Sequence, residues 1–446
     1  MRAIDKRDLG WISLGAALGF AAVALAATPP ATSPLWSDAR LRQEFARPGN
    51  VPQPAAGPPT PQAIALGELL FNDVRLSADA RISCATCHDM KLGLADGVRL
   101  SQAGATGKPL QRHTPTLWNV AWSPLLMWDG RAEGLEQQAV LPLSHPDEMA
   151  SSPQQAAERL AADAAMRTAF AAAFPAEPRV SAANLLAALA AYQRTLVSPP
   201  TRFDQWVSGD DDALTAQERH GLSLFAGKAG CISCHTGFAF TDQAFHDVGL
   251  PTSDAGRGPV AGLAAATHAF KTPTLRELAW TAPYMHDGAM ETLEDVVRHY
   301  EGGGIARPSR SREMPSPFAL TDDERAALVA FLETLSSDAP PRPSAEVWVR
   351  RDAPAVPAKI QVGATTISQR GRTFTPASVR IRRGDRLTVL NDDTRTHNVR
   401  IAHPDMDFNS GAQEPGENVV LRFNRAGTFE AHCGIHPTMR LRILVD

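Results

Sequence analysis

The chain has 446 residues, 43% of them hydrophobic and 21% charged, and a formal net charge of −4. That apolar fraction supports packed domains rather than a disordered chain, and the length suits about three of them. Mild acidity carries no footprint of a nucleic-acid partner, and five Cys, an odd number, do not make a disulfide framework.

Arg2, Lys6 and Arg7 precede an apolar run from Leu9 to Ala27 that contains the small-residue site Ala24-Leu25-Ala26. This is the pattern of a secretory signal over residues 1–27, with an uncleaved membrane anchor as the alternative. Residues 28–60 are rich in Pro and Ala and read as a linker with little fixed structure. The apolar spacing from Ile64 to Phe71 predicts a short helix. It leads to Cys84-Ala85-Thr86-Cys87-His88. Two thiols at this spacing each reach one vinyl group of a porphyrin, and the adjacent His lies under the iron, so the pentapeptide is a c-type haem attachment site.

Residues 153–174 and 181–197 read as Ala- and Leu-rich amphipathic helices, and Thr215–Glu218 and Thr321–Glu324 as capping boxes that each open a helix. Between the boxes, Cys231-Ile232-Ser233-Cys234-His235 repeats the haem motif. Thr114-Pro115-Thr116-Leu117 recurs as Thr272-Pro273-Thr274-Leu275, and Ala121-Trp122 recurs as Ala279-Trp280. Met127 with Asp129-Gly130 recurs as Met285 with Asp287-Gly288, and Leu135-Glu136 as Leu293-Glu294, always at the same offset (272 minus 114). An ungapped register of this length implies two homologous haem domains, over 61–200 and 201–338. Covalent haem attachment takes place outside the bacterial inner membrane, which agrees with the leader and places these domains in the periplasm.

Composition changes after Ser337: Pro340, Pro341 and Pro343 form a stiff connector. Short β-branched runs follow at Lys359–Val362, Ser378–Ile381, Leu387–Leu390, Val419–Phe423 and Leu441–Val445. They predict an antiparallel β sandwich over 345–446. The fold class is therefore multidomain: two mainly α-helical, cytochrome c-like haem domains followed by an all-β sandwich. Within the sandwich Cys433, His436 and Met439 share a short loop, and His397 ends an earlier strand. One thiolate and two imidazoles in a plane with a weak axial thioether make a type 1 copper site, the alternative being a free thiol near histidines. Zinc would want a fourth strong ligand, and none is offered.

The two halves differ where one iron would be capped. The counterpart of Pro142 is Tyr300. Proline binds no iron, whereas a tyrosine phenolate is an axial haem ligand. If both face their irons, the haem of His235 is six-coordinate and that of His88 is open to peroxide; the alternative is that Tyr300 is a buried aromatic on a helix from Glu291 to Tyr300. Opening an O–O bond needs a proton shuttle. Glu148 and Gln138, flanking Pro142, are the candidates.

Residues 61–338 resemble the bacterial diheme cytochrome c peroxidase family, including the diheme oxidase that matures methylamine dehydrogenase. The motifs that carry the likeness are Phe71, Leu76-Ser77, Cys84 to His88, Pro115-Thr116, Trp128-Asp129-Gly130-Arg131, Gln138, Pro142, Glu148-Met149, Cys231 to His235, Thr281-Ala282-Pro283-Tyr284 and His286-Asp287-Gly288. The last hundred residues resemble the cupredoxins, amicyanin above all. The family resemblance implies that Glu148 is the acid/base, that Gln138 and Pro142 line the peroxide pocket, and that Trp128 lies between the haems as an electron relay, the alternative being packing alone. It also implies an interhaem calcium held by the carbonyls of Thr281 and Pro283, although His113 stands where the family has Asn. No His lies between His88 and His113, the region where many family peroxidases carry the His that plugs the open haem. Tyr300 stands where they carry Met, as in the maturation oxidase, and a phenolate lowers the potential of its iron.

The expected function is periplasmic reduction of hydrogen peroxide to water with electrons from the fused copper domain. A peroxide-dependent oxidase acting on a protein or small molecule is the alternative, and a purely electron-carrying protein the third. Partners are hydrogen peroxide and an external donor, a small copper protein or a cytochrome c, or else a protein substrate. A homodimer is left open.

Overall fold

The computed structural model describes residues 36–340, apart from 55 and 56, and residues 361–446, apart from 363–365, 404 and 437. The leader and the Pro-rich connector from 341 onward lie outside the described residues. Helix α1 (Asp38–Glu44), capped by the Ser37 hydroxyl, lies inside the stretch expected to be linker. Its Leu41 and the following Phe45 bury in the core of the second haem domain, where Phe45 stacks on Phe240 with centroids 4.4 Å apart. Burying two such side chains stabilises by ~2–3 kcal/mol each, enough to order a segment whose composition reads as coil.

The first haem domain contains α2 (Pro61–Phe71), α3 (Cys84–Cys87), α4 (Leu135–Ser144), α5 (Pro153–Ala161), α6 (Ala164–Ala173) and α7 (Ala182–Gln193). The single helix expected over 153–174 is two, because the Asp163 carboxylate accepts from Ala165 N–H and starts a new helix there. The second contains α8 (Arg202–Val207), α9 (Ala216–Ala226), a two-stranded ribbon of β1 (Phe245–His246) and β2 (Phe270–Lys271) around α10 (Arg257–Ala261), then α11 (Leu293–Glu301) and α12 (Asp322–Glu333). Both expected capping boxes form, at the starts of α9 and α12. Helix α11 begins after Thr292, two residues beyond the expected start, because Thr292 and Asp295 form a further box.

The duplication extends to the backbone. Asn119 and Glu277 both have positive φ (61° and 63°), as do Met127 and Met285 (70° and 74°) and Gly130 and Gly288 (67° and 60°). The bridge Leu126 to Ala132 is matched by Tyr284 to Met290. Each half is also built on one helix crossing without a side chain in the contact. A Cβ on Gly67 of α2 would stand 2.0 Å from the carbonyl oxygen of Ala188 in α7, and one on Gly221 of α9 would stand 2.0 Å from that of Ala327 in α12.

The C-terminal unit has β3 (Gln361–Val362), β4 (Thr366–Ser368), β5 (Ser378–Ile381), β6 (Arg386–Leu390), β7 (Arg400–His403), β8 (Met406–Asn409), β9 (Asn418–Arg422), β10 (Gly427–His432) and β11 (Arg440–Val445). One sheet runs β3-β5-β11-β10-β7-β8 and the other β4-β6-β9. The sandwich is mixed rather than antiparallel: β5 is parallel to β3 and β11, and β4 is parallel to β6. The reason is connectivity. Strands β3 to β6 alternate between the sheets, so in-sheet neighbours return in the same direction. Its core includes Cys433 and Met439, both buried. Among the described residues no helix is long and apolar enough to cross a membrane.

Candidate active site and metal centres

A continuous cavity of about 820 Å³ runs through both haem domains and is lined by Cys87, His88, Gln138, Pro142, Glu148, Trp128, Cys231, Cys234, His235 and Tyr300. The donors fit two haems. The Nδ1 atoms of His88 and His235 hydrogen-bond to the carbonyls of Leu94 (2.8 Å) and Phe240 (2.9 Å), which fixes each Nε2 as the lone-pair nitrogen. Burial holds both imidazoles below their ordinary pKa, keeping that lone pair free. Burial also pushes the Cys84 and Cys231 thiols up to about 12, surroundings suited to neutral thioether sulfur. The loop under the second haem is tied down by Arg276, fully buried, which pairs with both oxygens of Asp204 at 2.8 Å and donates to the Phe238 carbonyl.

The peroxide pocket is shaped by the end of α4. Gln138 and Pro142, four apart, lie one above the other on the helix. The chain turns beyond Ser144, and Met149 N–H returns to the Pro142 carbonyl at 3.2 Å. Ala105 N–H holds the Glu148 carbonyl at 2.8 Å, and the close approach of Gly104 to the Asp147 carbonyl leaves no room for a Cβ. Glu148 is thereby brought to the cavity beside Pro142. Burial raises its carboxyl above the usual range, against the opposing charges of His145 and Arg131. Gln138 Nε2 reaches Met127 Sδ at 3.9 Å. Trp128 is fixed by its indole N–H to the His113 carbonyl (2.8 Å) and by its own carbonyl, which accepts from Lys271 N–H (2.8 Å).

Tyr300 lines the cavity from α11, while His299 turns away to the Val248 carbonyl at 2.9 Å. Burial raises the Tyr300 phenol far above its ordinary value, so it ionises only opposite a strong positive charge. Pro142 and Tyr300 thus face the same cavity from equivalent helices. His113 does not fit the calcium expectation: its Nδ1 bonds the Val98 carbonyl at 2.9 Å and it offers nitrogen where an oxygen is wanted. The carbonyl-bearing residues Thr281 and Pro283 do line the cavity, but calcium enters no step below.

In the β unit three donor atoms converge: His397 Nδ1 to His436 Nδ1 at 3.0 Å, and Cys433 Sγ to these at 3.9 and 3.8 Å. A point equidistant from the three lies about 2 Å from each, close to metal–ligand bond lengths. Asp393 Oδ2 accepts from His397 Nε2 at 3.1 Å, which aims the Nδ1 lone pair at that point. The N–H groups of Asn398 and His436 donate to Cys433 Sγ at 3.4 Å, as a thiolate requires. Met439 N–H bonds the His436 carbonyl, and its side chain is buried with Cys433. The donor set fits a copper ion.

Sequence reasoning missed four residues. His145 stands 3.8 Å from Glu148. Lys271 bonds Ser123 Oγ at 2.8 Å, and burial lowers its amine to about 7. Arg257 donates to the carbonyls of Asp129, Gly130 and Gly434, and His246 lies beside Cys234 and Asp242. A lone Arg, Lys or His gives no spacing signal; Lys271, Arg257 and His246 act through contacts between units, and His145 through a contact within the first.

Two C-x-x-C-H sites in duplicated domains that line one cavity, with a proline and a carboxyl on the wall near the first, define a di-haem c-type cytochrome of the peroxidase class. Residues 61–212 match the family described as di-haem cytochrome c peroxidase, and residues 219–336 match cytochrome c. Over 317 residues the chain is 47% identical to methylamine utilization protein MauG of Methylorubrum extorquens, covering 70% of this chain and 89% of that protein. It is 36% identical to the cytochrome c551 peroxidase of Pseudomonas aeruginosa over 285 residues, 62% of this chain and 79% of that one. A solved MauG-like protein associated with microbial copper homeostasis shares 33% identity at a TM-score of 0.61, covering 65% of this chain and 93% of that chain. The chain belongs to the di-haem cytochrome c peroxidase and MauG family and is an oxidoreductase with two c-type haems.

Proposed function

We propose that this protein is a periplasmic peroxidase that reduces hydrogen peroxide to water at the haem of His88, with electrons supplied through a type 1 copper in its cupredoxin-type domain. The observation that carries the reading is the pairing of Pro142 with Tyr300 in one cavity, with Glu148 beside the proline. When bound, the haems supply the redox equivalents, and the copper of His397, Cys433, His436 and Met439 supplies single electrons. Pro142 keeps the peroxide face clear. Gln138 orients the peroxide. Glu148 takes a proton from one peroxide oxygen and returns it to the other as the O–O bond opens. In sum, one hydrogen peroxide, two electrons and two protons become two waters. Trp128, anchored at both its indole and its carbonyl, holds the path between the haem sites rigid.

A second reading, oxidation of a protein or small-molecule substrate by the same chemistry, is favoured by Tyr300 and by the 47% identity to a MauG protein. Peroxide turnover with a reduced small copper protein or cytochrome c is the test. Sustained donor oxidation supports the peroxidase; negligible donor oxidation, with peroxide consumed only when a protein substrate is present, supports the oxidase.

A further inference from the structure

The metal loop of the β unit is covered by the second haem domain. Ile435 joins an apolar cluster with Leu125, Phe245 and Leu263, and its carbonyl accepts from Phe245 N–H at 3.3 Å. Buried Arg257 donates from Nε to the Gly434 carbonyl at 3.1 Å while its Nη1 holds the carbonyls of both Asp129 and Gly130, next to Trp128. Ion pairs ring this apolar centre: Arg372 to Asp242 at 2.6 Å, Arg395 to Glu313 at 2.9 Å and Arg312 to Glu414 at 2.6 Å. An apolar centre within a charged rim is the anatomy of a specific interface.

At its middle His436 is only 2% exposed, and its Nε2 is buried without a hydrogen-bond partner among the described residues. The nearest aromatic ring across the boundary is His246, with centroids 6.4 Å apart. His246 is 5% exposed and held at both nitrogens, by Asp242 Oδ2 at 3.0 Å and Ser311 Oγ at 2.9 Å. The donor atoms of His246, Asp242 and Cys234 lie within 4.8 Å of one another. Because Cys234 is committed to the second haem, this cluster is no independent ion site; it sets an imidazole beside the sulfur that joins porphyrin to protein.

We propose that His246 is the electron bridge from the copper centre to the second haem, and that the copper domain works from this docked position rather than as a swinging tether. The inference rests on the copper and haem reading above. With both groups bound, copper held by His397, Cys433 and His436 would give up one electron, becoming cupric, and iron held by His235 would take it, becoming ferrous. No bond breaks and no proton moves, since His246 keeps both its hydrogen bonds. Tunnelling weakens steeply with gap, and an aromatic ring placed between donor and acceptor shortens it.

The test is flash reduction of the oxidised holoprotein, following recovery of the blue copper band and growth of ferrous haem. In the native chain the transfer is first-order and independent of protein concentration. His246→Leu slows that phase while copper resonance, haem spectra and copper potential stay as they were, and His246→Phe restores part of the rate. Transfer at the native rate in His246→Leu overturns the bridge. The variant Arg312→Glu, which reverses an exposed rim charge paired with Glu414 and away from the ligands of either metal, makes the transfer slower and salt-sensitive; an unchanged single phase overturns the docked state even if His246→Leu does not fold. A protein holding two haems and no copper defeats the underlying reading instead.

Discussion

Glu148 is the residue on which peroxide chemistry turns. Its half-buried carboxyl titrates above the ordinary range, so the carboxylate needed to take a proton from peroxide accumulates only as pH rises through that raised value. The rate of reaction with peroxide therefore climbs with pH and levels off above it. In Glu148→Gln this limb disappears and the rate falls by roughly 10²–10⁴-fold, the usual worth of a positioned acid or base, as measured by stopped-flow absorbance. Tyr300→Phe removes the oxygen donor from α11 and adds a second high-spin haem signal. The haem-binding residues were legible in the sequence because covalent attachment demands a fixed spacing. Glu148 and Gln138 were legible only as candidates beside Pro142 and by family resemblance, since an isolated carboxylate or amide looks the same whether solvated or catalytic; α4 carries Gln138 to the cavity and the turn from Pro142 to Met149 carries Glu148.

Helix crossings decide how firmly the cavity walls are held. Gly221→Ala forces α9 off the Ala327 carbonyl and costs ~1–3 kcal/mol, read as a lowered denaturation midpoint, and Gly67→Ala does the same to α2 and α7. Thr321→Ala deletes the hydroxyl that caps α12 and costs about 1 kcal/mol. The caps, the repeat and five of the nine described strands of the C-terminal unit could be read from local pattern. Helix α1 could not, because its order comes from Phe45 packing on Phe240, nearly two hundred positions away. The parallel pairings of β5 and β4 were equally hidden, for strand alternation reports which face is buried and not which sheet the chain visits next.

The molecule as a whole joins three apolar cores through a few buried groups, of which Arg257 touches all three units. Selective removal of copper leaves the haem of His88 able to react with peroxide but abolishes turnover with donors that enter through the β unit, as donor-oxidation assays before and after copper restoration would register. Composition and repeat length set out three units, yet their mutual placement depends on partners far apart in sequence. The central claim is that the two irons are unequal, one capped by Tyr300 and the other left vacant by Pro142. Electron paramagnetic resonance of the oxidised holoprotein tests it most directly. One high-spin haem, one low-spin haem and one type 1 copper are the predicted signals; two low-spin haems, with no high-spin signal, would contradict the account.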